Sequence, residues 1–211
     1  MKKYLLAALV VLSASTFAAN VTVYGGLNLN GDVKILDSKE DTELGSTIGV
    51  EAHKSVAKLG NGNLEVGLGT KYDSTITNEE DGKEYKYASS MPIYGSVKYN
   101  YKVNKNISLY IQGKAGYAFM FEDETVDITN DDLASNHLDA KFEIEGKMYT
   151  GIAIGAEMGN YTVGLSYDIT EADMKLNGSD AEAIAEAMEM NVKTDVEYKK
   201  LALTVGYKFG K

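Results

Sequence analysis

The chain has 211 residues and a formal net charge of -10, with 21 Gly, 15 Tyr, one Pro and neither Cys nor Trp. The absence of Cys excludes disulfides, thiolate metal sites and a Cys nucleophile. An acidic chain whose 21 basic residues are all Lys lacks the basic surface that nucleic-acid phosphates demand, so nucleic acid is excluded as a partner.

Residues 1–18 read as a signal peptide: Lys2 and Lys3, an apolar run from Leu5 to Leu12, then Thr16 and Ala18 at the small-residue positions before a cut. The apolar run falls far short of the ~20 residues of a spanning helix, and no later segment approaches that length. Residues 19–211 are expected to form one domain.

From Val21 onward apolar and polar residues alternate in eight successive runs, the period of a strand with one apolar face. The first sets Val21, Val23, Leu27, Leu29, Val33 and Ile35 against Thr22, Tyr24, Asn28 and Asn30. The second carries Ile48, Val50, Ala52 and Val56, and the third Leu64, Val66, Leu68 and Tyr72. Ile93, Val97, Tyr99 and Tyr101 make the fourth apolar face; Ile107, Leu109, Ile111, Tyr117, Phe119 and Phe121 make the fifth. Phe142, Ile144, Met148, Ile152, Ile154 and Met158 form the sixth, and Tyr161, Val163, Leu165, Tyr167 and Ile169 the seventh. The eighth is Leu201, Leu203, Val205, Tyr207 and Phe209. Just upstream, Val192, Thr194, Val196 and Tyr198 alternate in the opposite phase, which predicts a β-bulge near Lys199 and Lys200.

Short connections (Gly60 to Asn63, Asn104 to Asn106, Gly159 to Asn160) alternate strictly with long acidic ones (Asp37 to Gly45, Asp73 to Ser90, Glu122 to Asp139, Glu171 to Asn191). That layout, with both termini on the short-turn side, is that of barrels with periplasmic turns and extracellular loops. The expected fold is all-β, an eight-stranded antiparallel up-and-down transmembrane β-barrel. A soluble lipocalin-like binding barrel has the same period with its apolar face inward. The leader, the alternating loop lengths and the aromatics favour the membrane form. Tyr99, Tyr101, Tyr161, Tyr207 and Phe209 gather toward the short turns, and Tyr72, Tyr117, Phe119, Phe121 and Phe142 toward the long loops, as two aromatic girdles do.

Residues 101–119, YKVNKNISLYIQGKAGYAF, and the terminal KLALTVGYKF (Lys200 to Phe209) resemble the small outer-membrane β-barrel proteins, the class that includes the OmpA-like transmembrane domain and the OmpX and OmpW barrels. The resemblance spans the whole mature chain and implies an outer-membrane location. It also implies recognition of a terminal aromatic by the barrel-assembly machinery; here Phe209 is followed by Gly210 and Lys211.

An eight-stranded barrel holds only side chains or one small ligand inside. Strand register points Glu51, Lys71, Lys98, Lys114 and Asp168 into the lumen, where opposite charges are expected to pair. No catalytic, cofactor or metal site is expected: His53 and His137 are the only histidines, and Ser55 beside His53 is a chance neighbour. Lys54 falls on the lipid face, and Lys199 and Lys200 are expected at the outer edge to meet lipid phosphates. In the fourth long loop, Ser179 and Glu182 fit a capping box ahead of Ile184, Ala187 and Met188, which predicts a short helix.

The expected function is non-enzymatic: envelope integrity, or surface interaction through acidic extracellular loops. A narrow channel for ions or small apolar solutes is the alternative. Expected partners are outer-membrane lipid and lipopolysaccharide, the assembly machinery, and extracellular or host proteins.

Overall fold

The computed structural model describes residues 20–35, 38–42, 45–74, 77–80, 83–86, 89–121, 141–177 and 192–210. The leader, the fourth-loop helix and His137 lie outside these residues, as do the side chains of Val33, Ile35 and Phe142.

Eight strands form one antiparallel ring: β1 (Asn20–Ile35), β3 (Gly45–Leu59), β4 (Gly62–Asp73), β7 (Ser89–Lys102), β8 (Ile107–Phe121), β9 (Lys141–Met158), β10 (Tyr161–Asn177) and β11 (Lys193–Gly210). Each pairs with its sequence neighbour in the ring, and β11 pairs with β1 from Asn20↔Gly210 to Ile35↔Val196, which closes the sheet and removes its edges. β2 (Ser38–Thr42) folds back on the outer part of β1, while β5 (Thr77–Glu80) and β6 (Lys83–Lys86) form a separate hairpin in the second long connection.

The short connections are made by local chemistry. Gly60 and Gly159 hold φ of 57° and 61°, left-handed conformations that a side chain resists, and each opens a two-residue turn. In the third turn, the Asn104 side-chain oxygen accepts from the backbone N–H groups of Asn106 and Ile107 at 2.8 and 2.9 Å.

Strands β9, β10 and β11 run for 18, 17 and 18 residues, well beyond the ~9–11 that cross a bilayer. They therefore project past the membrane on the long-loop side. There the interior changes character, because Met120, Ala172, Val196 and Tyr198 form a buried cluster with Ile144 and Met174 against it.

This inward cluster corrects two expectations. β11 alternates without interruption, with Thr194, Val196, Tyr198, Lys200 and Ala202 all buried, so no bulge occurs at Lys199 and Lys200. The extra residues sit on other strands: Leu29 in β1, Val56 in β3, and the Lys147–Met148 stretch of β9 opposite Glu171. The β9 bulge flips the strand's phase, so Ile144 turns inward while Met148 stays outward.

The inward placement has a measurable consequence. Val196→Ala should lower the unfolding free energy of the barrel in lipid vesicles by about 2 kcal/mol, the worth of lost methyl burial and the void left behind. Val205→Ala, on the outward face of the same strand, should cost less than half of that in the same urea titration. The reverse order would contradict the unbroken phase of β11.

Candidate functional site

At membrane depth the inward face of the ring is mostly polar, and its lysines and carboxylates gather into buried ion pairs. Near the short turns, Glu157 accepts from Lys98, Lys208 and the Asn100 amide, the last at 2.9 Å, and the Lys98 ammonium lies 4.4 Å from the Tyr110 ring centroid. At middle depth Glu51 is the hub. Lys114 approaches it at 3.1 Å, the Tyr94 hydroxyl donates at 2.7 Å and the Gln112 amide at 3.1 Å. Since the one Tyr94 proton goes to Glu51, Tyr24 donates to Tyr94 across 2.9 Å.

A second hub lies beside the first. Asp168 accepts from Lys71 at 2.8 Å, from the Tyr149 hydroxyl at 2.8 Å and from Ser166 at 3.1 Å. Lys71 also reaches Asp73 at 3.1 Å, and Asp73 in turn holds Lys200. All five residues expected in the lumen, Glu51, Lys71, Lys98, Lys114 and Asp168, thus join this network. Tyrosine rings fill the rest, with Tyr94 and Tyr149 packed 5.2 Å apart. A side chain on Gly49 would come within 2.5 Å of the Tyr24 ring, and one on Gly69 within 2.7 Å of Tyr94, so these glycines make room for the rings.

The reading of the sequence missed Asp73, Lys200 and Glu157. The acidic run from Asp73 to Ser90 reads as a connection, whereas in the structure Asp73 continues the inward phase of Lys71. Lys200 does not meet lipid at the outer edge. It is 3 % exposed and points inward, while Lys199 faces out and pairs with Glu197 at 2.6 Å. Glu157 lies on the polar face of β9 beside Met158, and only its alternation marks it.

The outward face is a continuous apolar belt: Leu27, Ile48, Val97, Ile111, Ile152, Ile154 and Val205 are all more than half exposed. Aromatic residues border it. At the short-turn end Tyr161 and Tyr207 meet edge to face at 5.4 Å, Tyr207 and Phe209 at 4.8 Å, and Tyr99 donates to the Leu59 carbonyl; Tyr101 is exposed there. At the other end Tyr117 and Phe119 meet at 5.2 Å, Tyr72 is exposed and Phe121 half-buried. Leu64 pairs with Tyr99, and Tyr72 lies eight residues further along β4. That is ~27 Å along the strand, or roughly 20 Å of height after tilt, close to the apolar band of a bilayer.

Polar inside and apolar outside is the reverse of a lipocalin, so the soluble binding barrel falls. The family model described as outer membrane protein beta-barrel domain matches residues 4–209. This chain belongs to that family. An uncharacterized protein of Pasteurella multocida (strain Pm70) is 26 % identical over 99 % of this chain and 98 % of its own length. Among solved structures, the outer membrane protein OprG from Pseudomonas aeruginosa is similar with a TM-score of 0.47 and 14 % identity, covering 92 % of this chain and 97 % of that one. Neisserial surface protein A gives 0.48 and 10 %, covering 91 % and 98 %.

Within this outer-membrane barrel, His53 points into the lumen and Ser55 is exposed, so the two do not meet as a catalytic pair. His53 instead places its Nε2 3.0 Å from Ser96 Oγ, with Glu51 3.9 Å from that same nitrogen. A serine relay needs the carboxylate on the opposite ring nitrogen. Lys54 is exposed on the lipid face, as expected.

Beyond Ile169 the strands leave the apolar span, and an ion cluster ties β9, β10 and β11 together. Lys147 lies 2.5 Å from Asp173 and 2.8 Å from Asp195, and Lys193 lies 2.8 Å from Asp173. Burial acts to raise the Asp173 carboxyl, but hydrogen bonds from Lys147 and Lys193 outweigh it and hold the group at about 2.

Two outcomes follow from these contacts. Lys71→Met should cost about 3–5 kcal/mol, because Asp168 loses its ammonium partner in a dry interior. Adding Asp168→Leu should recover part of that loss in a double-mutant cycle read by urea unfolding. At the rim, Asp173 is depressed on folding, so its contribution is complete above its ordinary value of 3.8 and fades as pH falls toward about 2. Amide signals of the outer ends of β9 to β11 should shift through that window, and Asp173→Asn should abolish the dependence.

Proposed function

We propose that the chain is a closed, non-catalytic outer-membrane barrel that supports envelope integrity and presents its long acidic connections to external partners. The observation that carries this reading is the filled lumen. The space left among Glu51, Lys71, Lys98, Lys114 and Asp168 is about 30 Å³. A cavity of that size holds about one water. Solute passage would require breaking the paired charges around Glu51 and Asp168, which leaves buried charges without partners.

The same network supports the absence of catalysis, since the buried His53 is surrounded by structural partners and has no room for a substrate. With the lumen closed, the surfaces left for recognition are the lipid belt and the long connections. The latter concentrate acids in sequence, as at Glu79 to Asp81, Glu122 to Glu124 and Asp131 to Asp132. Outer-membrane lipid and lipopolysaccharide are the partners of the belt, extracellular or host proteins those of the connections. The outward Phe209 on the terminal strand is the feature offered to the assembly machinery.

Planar-bilayer recording at neutral pH should give no resolved unitary current for the native barrel, and Lys71→Ser combined with Asp168→Ser should create one. Protease added to intact cells should cut in the long connections and spare the turns at Gly60 and Gly159. A steady native current would transfer the reading to the channel alternative, and cuts at the short turns would invert the orientation.

A further inference from the structure

The lipid-facing wall carries a groove of about 840 Å³ that crosses β4, β7, β8, β9 and β10. Its floor is made by Gly95, Gly113 and Ala115, and its sides by Val97, Ile152 and Ile169. Most glycines of the ring are demanded by their neighbours: a Cβ at Gly116 would sit 2.0 Å from the Ile93 carbonyl, and one at Gly155 2.2 Å from that of Val163. Gly113 is different, because its Cβ would meet nothing within 4 Å, and at Gly95 the nearest atom is 3.9 Å away. Glycine weakens a strand, and nothing among the described residues compensates for it at these two positions. The bilayer side does, because whatever lies in the groove gains the space that the missing side chains leave.

The groove crosses four strand spacings, ~19 Å, and is about two residues wide. That footprint is far below the ~800 Å² per partner of a stable protein interface, but it matches one extended hydrocarbon chain. Hydroxyl groups interrupt the apolar lining at Thr150 and Tyr167. At its β10 end, Ile169 pairs with Lys199, whose partly exposed ammonium lies 2.6 Å from the Glu197 carboxylate at the edge of the apolar span. A chain lying here therefore meets two hydroxyls and the Lys199–Glu197 ion pair toward its β10 end, and apolar wall over the rest.

We propose that the groove seats one hydroxylated acyl chain of lipopolysaccharide, with a phosphate of the same molecule drawing the partly exposed Lys199 away from Glu197. Glycerophospholipids carry phosphate but plain acyl chains, so they leave the Thr150 and Tyr167 hydroxyls against hydrocarbon. The proposal rests on the outer-membrane placement of the barrel and is independent of whether the lumen conducts.

The test refolds the full barrel with equal amounts of purified lipid A and phosphatidylethanolamine, exchanges it into detergent, and counts retained lipids by native mass spectrometry. The native protein should keep one lipid A. Gly113→Leu and, as a second variant, Ala115→Leu should lower the retained fraction about tenfold, as expected when contact with roughly two methylenes is lost. Gly25→Leu, at an outward glycine on β1 whose Cβ would meet only a carbonyl at 3.7 Å, should leave retention unchanged. Tyr167→Phe should erase the preference for lipid A. Heat-modifiable gel migration verifies that each variant is folded, and unchanged conductance separates this result from the state of the lumen. Equal retention by the native protein and both groove-filling variants would overturn the proposal. So would equal retention of phosphatidylethanolamine, or a native dimer that Gly113→Leu dissolves.

Discussion

Closing eight strands into a ring leaves an interior only a few side chains wide, and that dimension governs what the inward residues are. Lysines and carboxylates placed there are cut off from water, so each must lie against an opposite charge. Lys71 bridges Asp168 and Asp73, Lys114 meets Glu51, and Lys98 meets Glu157. Apart from Lys71–Asp73, which lies within β4, these contacts join strands far apart in sequence: Lys71 and Asp168 stand 97 residues apart. The network thus fixes the order of the ring from within while backbone pairing fixes it from strand to strand. Deleting either partner strands a buried charge, which costs more than the pair contributes over an apolar filling. The interior therefore reads as a device for specifying one closed arrangement rather than a source of large stability.

Much of this was legible from alternation alone. Inside the membrane span the two faces meet opposite environments, so apolar residues mark one face and polar residues the other; Val97 and Lys98, or Ile111 and Gln112, separate cleanly. Past the span that contrast disappears. Both the solvated outside and the packed inside of the projecting strands mix residue types, and Val196 and Tyr198 face inward although the rule for the span would send them to lipid. The phase break that the sequence pattern predicts at Lys199 and Lys200 is this change of environment, not a bulge. The real bulges, at Leu29, Val56 and the Lys147–Met148 stretch, shift phase without leaving a residue type that announces them.

The candidate network was readable to the extent that charges stood in the phase of a recognised strand. Asp73 and Lys200 escaped because each was assigned to a place outside the span, one to a loop and the other to the lipid edge. Their pairing extends the contacts around Asp168 and Lys71 toward the projecting end. The aromatic residues divide in the same way. Tyr99 and Tyr207 belong to the girdles, whereas Tyr24, Tyr94 and Tyr149 are buried in the lumen with their hydroxyls on other tyrosines and on carboxylates. Composition alone does not separate these two roles; phase does.

Tyrosine and glycine are abundant together for one steric reason. A ring that lies across the lumen covers the neighbouring strand, and the residue beneath it has no room for a side chain, as at Gly49 under Tyr24 and Gly69 under Tyr94. Inward glycine is thus the complement of inward tyrosine, and substitution at either member disturbs the other. Outward glycine obeys no such demand, because the wall there faces fluid hydrocarbon that accepts any apolar shape. The outward Gly95 and Gly113 lie under no ring, and a Cβ there would meet nothing closer than 3.9 Å among the described residues, so the packing that dictates the inward glycines does not dictate these two.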